Sequence, residues 1–179
     1  MYWDTEARNP KQADESWPEY RLRAGVGLAV VYDEGQDDWL FYTERDLDQL
    51  AVKLESADEL VGYNSVWYDH VVLDQALGRR IYLPNETDLY LAIRQTRANR
   101  DPNGTWKLGE VCKRTIGRGK TMEGAGAPHL IEAGDWGKLV TYCTNDVKLL
   151  RDLHRFVLNF GYVIGPEGEK VSIAERKDQ

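Results

Sequence analysis

The feature of the sequence that most constrains the fold is an apolar run near its start. Between Arg21 and Asp33 the chain is rich in Val, Leu, Ala and Tyr, which suit a strand but leave no polar face for solvent. Polar residues at 35–38 then favour a turn, and Trp39–Tyr42 is typical of a returning strand. We therefore expect an antiparallel pair buried in a sheet, beside a strand at the start of the chain.

The rest of the pattern predicts a mixed α/β sheet flanked by helices. Apolar residues at helical spacing predict helices at residues 43–57, 67–77, 88–97, 108–116 and 136–160, the last capped by Asp135. Further extended segments are predicted at residues 1–3, 60–64, 81–83, 163–164 and 171–173, the last two as a hairpin. Loops are predicted at residues 7–20, 99–105 and 117–128, the last a mobile basic loop.

Length and composition indicate a soluble globular chain. Its 179 residues, 42% hydrophobic and 30% charged, suffice for one domain, which we place at residues 1–162, with a hairpin and tail at 163–179. No apolar run approaches the ~20 residues of a membrane span and no signal peptide precedes Asp4, so we expect a cytoplasmic protein without a membrane partner. Cys112 and Cys143 fit neither a metal spacing nor a disulfide framework and are expected to be buried thiols in a reducing compartment.

An acidic pair, Asp4 and Glu6, follows the large side chains that open the chain. Side chains alternate along a strand, so the two carboxylates point to the same side, about 6–7 Å apart. Crowded carboxylates need a positive partner, and hard oxygen ligands of this kind suit Mg²⁺ or Mn²⁺. The plainer alternative is an exposed acidic pair in a polar terminus.

Two further acidic positions stand at places where ligands bind in α/β proteins. Asp69 opens the helix that follows the strand at 60–64, at the carboxyl edge of the sheet. Tyr142 and Asp146 are four residues apart on the last predicted helix and therefore share one face. Each also has a structural explanation: Asp69 complements the helix dipole, and Tyr142 with Asp146 can be a buried polar pair.

The charge of the chain is unevenly distributed. The net charge is −7, yet eight basic residues lie between Arg94 and Lys120 against two acidic ones. Such a segment suits a polyanion, although a solvated basic face is an equal alternative. Gly117–Thr121, at the end of this segment, looks like a phosphate-binding loop at first glance. The full pattern requires a glycine at the position that Arg114 occupies and a strand before the loop, and the sequence has neither.

Three motifs together resemble a known family. Asp4-x-Glu6, Asn64-x-x-x-Tyr68-Asp69 and Tyr142-x-x-x-Asp146 are similar to the three exonuclease motifs of the DEDDy 3′–5′ exonucleases, in the same order. The resemblance covers about residues 1–160 and is nearest to stand-alone exonuclease domains related to the proofreading domain of family B DNA polymerases. Thr141 stands where the histidine branch of that superfamily would have its His. The resemblance implies a ribonuclease H-like α/β fold.

It also implies a two-metal mechanism with Mg²⁺ or Mn²⁺, in which two ions stabilise the attacking and leaving oxygens of the phosphodiester. Asp4 would bridge both ions, Glu6 and Asp146 would complete the site that activates water, and Asp69 would hold the second ion. Tyr142, a phenol with an ordinary pKa near 10, would position the water rather than act as a base.

The expected substrate is the 3′ end of single-stranded nucleic acid, DNA before RNA. Six residues are candidates to bind it, with Trp67 as a stacking surface and the basic ones along the backbone: Asn64, Trp67, Tyr68, Lys107, Arg118 and Lys120. Two alternatives remain open from the sequence: an exoribonuclease, since 2′-hydroxyl discrimination depends on pocket shape, and a non-catalytic nucleic-acid-binding module of a replication or helicase assembly.

Overall fold

A five-stranded mixed sheet forms the centre of the molecule. The computed structural model describes residues 1–96, 105–120 and 126–173. The strands of this sheet are β1 Tyr2–Ala7, β2 Val26–Asp33, β3 Asp38–Tyr42, β4 Leu60–Gly62 and β5 Glu86–Asp88. Their order is β3-β2-β1-β4-β5, with β1 in the middle. The first strand is antiparallel to β2 and parallel to β4, so it joins the antiparallel half of the sheet to the parallel half.

Helices cover both faces of this sheet. They are α1 Trp17–Arg23, α2 Leu47–Glu55, α3 Asp69–Leu77, α4 Leu89–Thr96, α5 Leu108–Ile116, α6 Ala127–Glu132 and α7 Trp136–Phe160. A two-stranded hairpin follows, formed by β6 Tyr162–Ile164 and β7 Lys170–Ser172, and its Val163 and Val171 join the core beside α7.

The side-chain alternation of β1 divides the core into two halves. Tyr2 packs on one side with residues of α5 and α7, whereas Trp3 packs on the other with residues of α2 and α3. Asp4 and Glu6 follow Tyr2 by two and four residues, so their side chains lie on the same face of the strand as Tyr2 and point towards α7. A β-bulge between Glu6 and Ala7 ends this regular alternation. The strand thus directs both acidic side chains towards the helix that carries Tyr142 and Asp146.

The structure confirms the predicted mixed α/β sheet, the helices α5 and α7 and the terminal hairpin. Three local predictions were wrong. Residues 17–23 form α1 rather than loop and strand, because Ser16 and Glu19 make a capping box at its start. The strand predicted at 81–83 lies instead at β5, and α6 occupies part of the predicted loop 117–128. Predictions for residues 97–104 and 121–125 lie outside the described residues.

Among the helices of residues 1–96, 105–120 and 126–173, none combines the length and apolar character that crossing a bilayer demands.

A close backbone approach at the end of β4 is a testable feature of this fold. A Cβ atom on Gly62 would lie 2.6 Å from Ser65 Cβ and 2.7 Å from Glu86 Oε1. Glu86 is buried and accepts a hydrogen bond from Trp3 Nε1 at 2.8 Å, so it cannot easily move. We expect Gly62→Ala to lower the free energy of unfolding in urea by about 1–3 kcal/mol through overpacking.

The matched control is Gly137→Ala in α7, where an added Cβ meets no atom within 4 Å. Alanine favours the helix, so this variant should be as stable as the wild type or more stable by up to about 1 kcal/mol. Equal losses in the two variants would contradict the close packing at Gly62.

Candidate active site

Four carboxylates from three elements converge at the carboxyl edge of β1, and we call them the acidic cluster. Asp4 and Glu6 extend from β1, Asp69 stands at the first position of α3, and Asp146 lies in the middle of α7. Glu6, Asp69 and Asp146 are buried, and Asp4 is partly buried. The structure therefore brings together the four carboxylates that the sequence motifs pick out.

Burial and nearby carboxylates raise the pKa values of three of these groups, Asp4, Glu6 and Asp69. Burial raises the pKa of Asp4 well above its usual range, and the charges of Asp69 and Asp146 raise it further. The pKa of Glu6 is raised by burial and then by Asp4. Burial raises the pKa of Asp69 to about 7, against the opposing effect of hydrogen bonds that the Thr5 hydroxyl and backbone N–H donate to it. Such a cluster favours binding of cations.

Lys120 supplies a positive charge to the acidic cluster. Its Nζ lies 2.6 Å from Asp146 Oδ2, and the side chain of Asp146 is fully buried. Burial alone would lower the pKa of Lys120, but the charges of Asp146 and Asp4 outweigh it and raise the pKa above its ordinary value. The Lys120 ammonium also lies 5.7 Å from the ring centroid of Tyr142. Lys120, the last residue of the basic segment at 94–120, is therefore part of the site.

Tyr142 presents a buried hydroxyl to the acidic cluster. The residue is 3% exposed, and its hydroxyl makes no hydrogen bond of ordinary geometry within the described residues, although Asp146 is close enough to act on it. Burial raises the pKa of Tyr142, and the carboxylates of Glu6, Asp146 and Asp4 raise it further. The hydroxyl therefore stays protonated at neutral pH and can donate a hydrogen bond to a molecule that enters the site.

The oxygen donors of the cluster suit a hard divalent cation. Asp4 and Glu6 each place a carboxylate oxygen within a group of atoms that lie no more than 4.8 Å apart, and Cys143 Sγ is the third member. Carboxylate oxygens at such spacing can converge on one ion. The raised pKa values and the buried Tyr142 hydroxyl are consistent with a site that gains its remaining partners when an ion and its water bind.

An open cleft of about 570 Å³ adjoins the acidic cluster, and we call it the main cleft. Asp4 and Lys120 are among the residues that line it. Its walls carry aromatic and basic side chains, namely Tyr63, Tyr90, Trp106, Lys107 and Lys113. The rings of Tyr63 and Tyr90 lie 5.7 Å apart, and the Tyr63 hydroxyl donates to the carbonyl oxygen of Trp106. Aromatic faces and lysines together are suited to nucleobases and phosphates.

A second cleft of about 450 Å³, the side cleft, meets the first at Asn64, which lines both. Trp17, Tyr20 and Tyr68 line the side cleft, with the rings of Tyr20 and Tyr68 at 6.3 Å. Asn64 has a positive φ of 61°, a left-handed conformation that Asn tolerates better than most residues. Aromatic surfaces therefore lie on both sides of Asn64.

The other predicted substrate-binding residues occupy different surroundings. Trp67 is 51% exposed, and its carbonyl oxygen accepts a hydrogen bond from Arg21. Arg118 forms an ion pair with Asp152 of α7, whereas Lys107 lines the main cleft. The basic segment is thus divided between cleft lysines and structural arginines: Arg114 donates to the Thr105 carbonyl oxygen at 2.7 Å.

Two residues that support the site, Asp88 and Glu86, were missed by the sequence analysis. The carboxylate of Asp88 accepts hydrogen bonds from the backbone N–H groups of Asn64 at 2.8 Å and Val66 at 3.2 Å, and so fixes the turn after β4. Glu86 holds Trp3 and the ring of His70, next to Asp69. The sequence did contain a signal for Asp88, since an acidic residue directly before an apolar helix is a common helix cap. The predicted helix at 88–97 included Asp88 as its first residue instead.

Cys143 was also missed as a member of the site. The prediction that both cysteines are buried is confirmed. Cys143, however, lies beside Asp4, with Sγ 4.0 Å from Asp4 Oδ2. The signal was its position three residues before Asp146, which puts the two side chains on the same side of α7.

Comparison with known proteins establishes the fold class. Neither a protein-family model nor a curated protein matches the chain. The solved structure of the family B DNA polymerase from the hyperthermophilic archaeon Pyrobaculum calidifontis is similar, with a TM-score of 0.66 and 18% sequence identity. The similarity covers 89% of this chain and 24% of the polymerase, so the chain spans about a quarter of that protein's length. The chain has a ribonuclease H-like fold, as predicted.

The ion pair between Lys120 and Asp146 provides a test of the electrostatic balance. We expect Lys120→Met to lower the free energy of unfolding by about 3 kcal/mol, because it leaves the buried Asp146 charge without this partner. Adding Asp146→Asn to Lys120→Met should recover most of that loss, since both charges are then absent. Urea unfolding of the two single variants and the double variant measures the coupling.

The exposed pair of Lys138 and Asp135, at 2.5 Å, is the control. Lys138→Met should change stability by less than about 1 kcal/mol, because solvent screens that pair. If the double variant at residues 120 and 146 loses as much as the two single variants added together, Lys120 does not balance Asp146.

Proposed function

We propose that the protein is a metal-dependent 3′–5′ exonuclease of the DEDDy type that acts on single-stranded nucleic acid, DNA before RNA. The observation that carries the proposal is the meeting of four carboxylates and Tyr142 in one cluster, whose Asp4 lines a cleft that also holds aromatic rings and lysines. The ribonuclease H-like fold and the order of the three motifs support the same assignment.

Asp4, Glu6, Asp69 and Asp146 would hold two divalent cations, Mg²⁺ or Mn²⁺. When bound, such ions lower the pKa of water and stabilise negative charge on the phosphodiester oxygens. The protein contributes a fixed arrangement of ligands. Thr5 orients Asp69 through its backbone N–H, 3.1 Å from Oδ1, and the neighbouring strand β2 holds β1 in register along its length. A strand and two helices, rather than loops, thus position all four carboxylates.

Tyr142 would orient the attacking water through a hydrogen bond from its hydroxyl. Because its pKa is raised, the hydroxyl keeps its proton and acts as a donor rather than as a base. Lys120 balances the charge of the acidic cluster and can stabilise the negative charge that hydrolysis adds. These roles need no movement of either side chain out of the cluster.

The main cleft would hold the strand. Tyr63 and Tyr90 offer ring faces for stacking bases, a contact that tolerates any sequence. Lys107 and Lys113 in the cleft wall suit backbone phosphates. We propose DNA rather than RNA as the substrate because the structurally similar protein is a DNA polymerase by name. The similarity itself concerns only the fold.

Digestion of a single-stranded DNA oligonucleotide labelled at its 5′ end tests the proposal. With Mg²⁺ or Mn²⁺ we expect a ladder that shortens from the 3′ end, and with EDTA no cleavage. Asp4→Asn, which keeps the shape of the side chain and removes its charge, should reduce cleavage to background. Asp38→Asn, on the exposed end of β3, should cleave like the wild type.

If the folded wild-type protein leaves both DNA and matched RNA intact, with Mg²⁺ and with Mn²⁺, the proposed exonuclease activity is contradicted. Faster digestion of the RNA would change the substrate and keep the mechanism. Affinity for the strand should fall steeply with salt if the cleft lysines contact phosphates.

The Tyr142 hydroxyl can be tested separately from the fold. We expect Tyr142→Phe to lower kcat about tenfold to a hundredfold, since one positioned hydrogen bond is lost. Its stability should be equal to that of the wild type or greater, because the hydroxyl makes no hydrogen bond of ordinary geometry among the described residues. Metal affinity, measured by calorimetry, should stay the same.

Tyr32→Phe is the control, since the Tyr32 hydroxyl bonds to Asp37 at 2.7 Å on a remote turn. It should keep full activity. Wild-type turnover in Tyr142→Phe would remove the role assigned to that hydroxyl.

A further inference from the structure

Lys120 reaches the acidic cluster across the first turn of α5, at Gly109. A Cβ atom on Gly109 would lie 2.9 Å from Lys120 Cγ, 3.2 Å from Lys120 Cβ and 3.3 Å from the Lys120 backbone nitrogen. Carbon atoms in contact prefer a separation of about 3.5–4.0 Å. The Lys120 side chain and backbone therefore occupy space that a side chain at residue 109 would need.

Helix geometry gives no reason for a glycine at this position. Gly109 is the second residue of α5, and it is not one of the glycines with a positive φ. Alanine has a higher helix propensity than glycine, so the helix alone would favour alanine here. The reason that the structure shows is the close approach of Lys120, which only a residue without a side chain permits.

The chain around Lys120 is held against α7, so it cannot easily move away from Gly109. Arg118, two residues before Lys120, forms an ion pair with Asp152 of α7. The Lys120 ammonium lies 2.6 Å from Asp146 Oδ2, on the same helix. A group added at residue 109 would have to push the Lys120 side chain aside or loosen one of these two ion pairs.

We propose that Gly109 is a positioning residue of the active site. Because it has no side chain, Lys120 can cross α5 and place its ammonium on Asp146. A methyl group at residue 109 displaces Lys120 and misplaces its charge relative to the acidic cluster. Misplacement of a catalytic group by about 1 Å can cost roughly a hundredfold in rate. The effect on turnover rests on the proposed function, whereas the contact between residues 109 and 120 does not.

The first measurement does not depend on nuclease activity. Urea unfolding of Lys120→Met, Asp146→Asn and the double variant gives the coupling between residues 120 and 146. The same cycle is repeated in a Gly109→Ala background. We expect the coupling there to fall to less than half of its original value, because the ammonium no longer lies at hydrogen-bonding distance from Asp146. Unchanged coupling would overturn the proposal.

A second variant covers the case in which Gly109→Ala does not fold, as judged by circular dichroism. Lys120→Ala removes Cγ, the atom closest to the added methyl group, together with the rest of the side chain. Combining it with Gly109→Ala should therefore restore folding. Instability that Lys120→Ala does not relieve would place the clash elsewhere and overturn the proposal.

The second measurement is the digestion of the 5′-labelled DNA oligonucleotide. We expect Gly109→Ala to lower kcat about tenfold and to leave KM within about twofold of the wild type. Added to Lys120→Met, it should cause no further loss, because the group that it misplaces is already absent. An equal further loss in that background would show that residue 109 acts independently of Lys120 and would overturn the proposal.

Obstruction of the strand is the competing explanation, since Gly109 also lines the main cleft. It predicts a higher KM with an unchanged kcat, and that result would likewise count against a positioning role.

Gly137→Ala is the control, because an added Cβ at that helix position meets no atom within 4 Å. It should keep the wild-type kcat and the wild-type coupling. Losses as large as those of Gly109→Ala would assign the effect to alanine itself rather than to the contact with Lys120. If no variant digests DNA but the coupling falls in Gly109→Ala, the proposed exonuclease fails and the positioning contact remains.

Discussion

Repulsion among buried carboxylates is the constraint on which the site depends. Asp4, Glu6, Asp69 and Asp146 lie close enough to shift one another's protonation, and three of them are almost inaccessible to water. The protein offsets this cost with Lys120, whose ammonium contacts Asp146. Within the described residues, Lys120 offsets only part of the charge that the four carboxylates can carry. The remaining negative charge favours the binding of cations and is consistent with the proposed hard-metal chemistry.

The fold makes this concentration of charge tolerable by surrounding it with rigid structure. The first strand is held on both sides by neighbours, and α7 packs across it with a row of apolar side chains from Leu139 to Leu153. Asp88 and Glu86, on the edge strand β5, hold the turn and the aromatic side chains around Asp69. Carboxylates placed on such elements keep their separation, whereas carboxylates on loops would move apart to relieve repulsion.

The sequence predicts those parts of the site that depend on local periodicity. Alternation in a strand places Asp4 and Glu6 together, and the four-residue spacing of Tyr142 and Asp146 places them on one side of a helix. The structure brings these residues together with Asp69, while their catalytic roles remain predictions. The long helix α7 and its cap at Asp135 were predictable because a cap and a sustained apolar pattern agree there.

Contacts between distant segments were beyond that reasoning. The pairing of Lys120 with Asp146, the approach of Cys143 to Asp4 and the support from Glu86 all depend on tertiary packing. The strand β5 was missed because it is only three residues long and two of them, Glu86 and Asp88, disfavour strands, so the segment depends on pairing with β4. Helix α1 did carry a readable signal, Ser16 and Glu19, but nearby prolines favoured a loop.

The alternation of β1 has an evolutionary consequence. Within six consecutive residues, Asp4 and Glu6 lie on one face of the strand together with Tyr2, and Trp3 anchors the core on the opposite face. Inserting or deleting one residue before Glu6 would exchange these two faces, burying acids among apolar groups and turning Trp3 towards α7. A change of one residue in length therefore preserves the two faces only beyond the bulge that follows Glu6, where the alternation has already ended. The start of the chain should be among its slowest regions to acquire insertions, whatever happens to the surface loops.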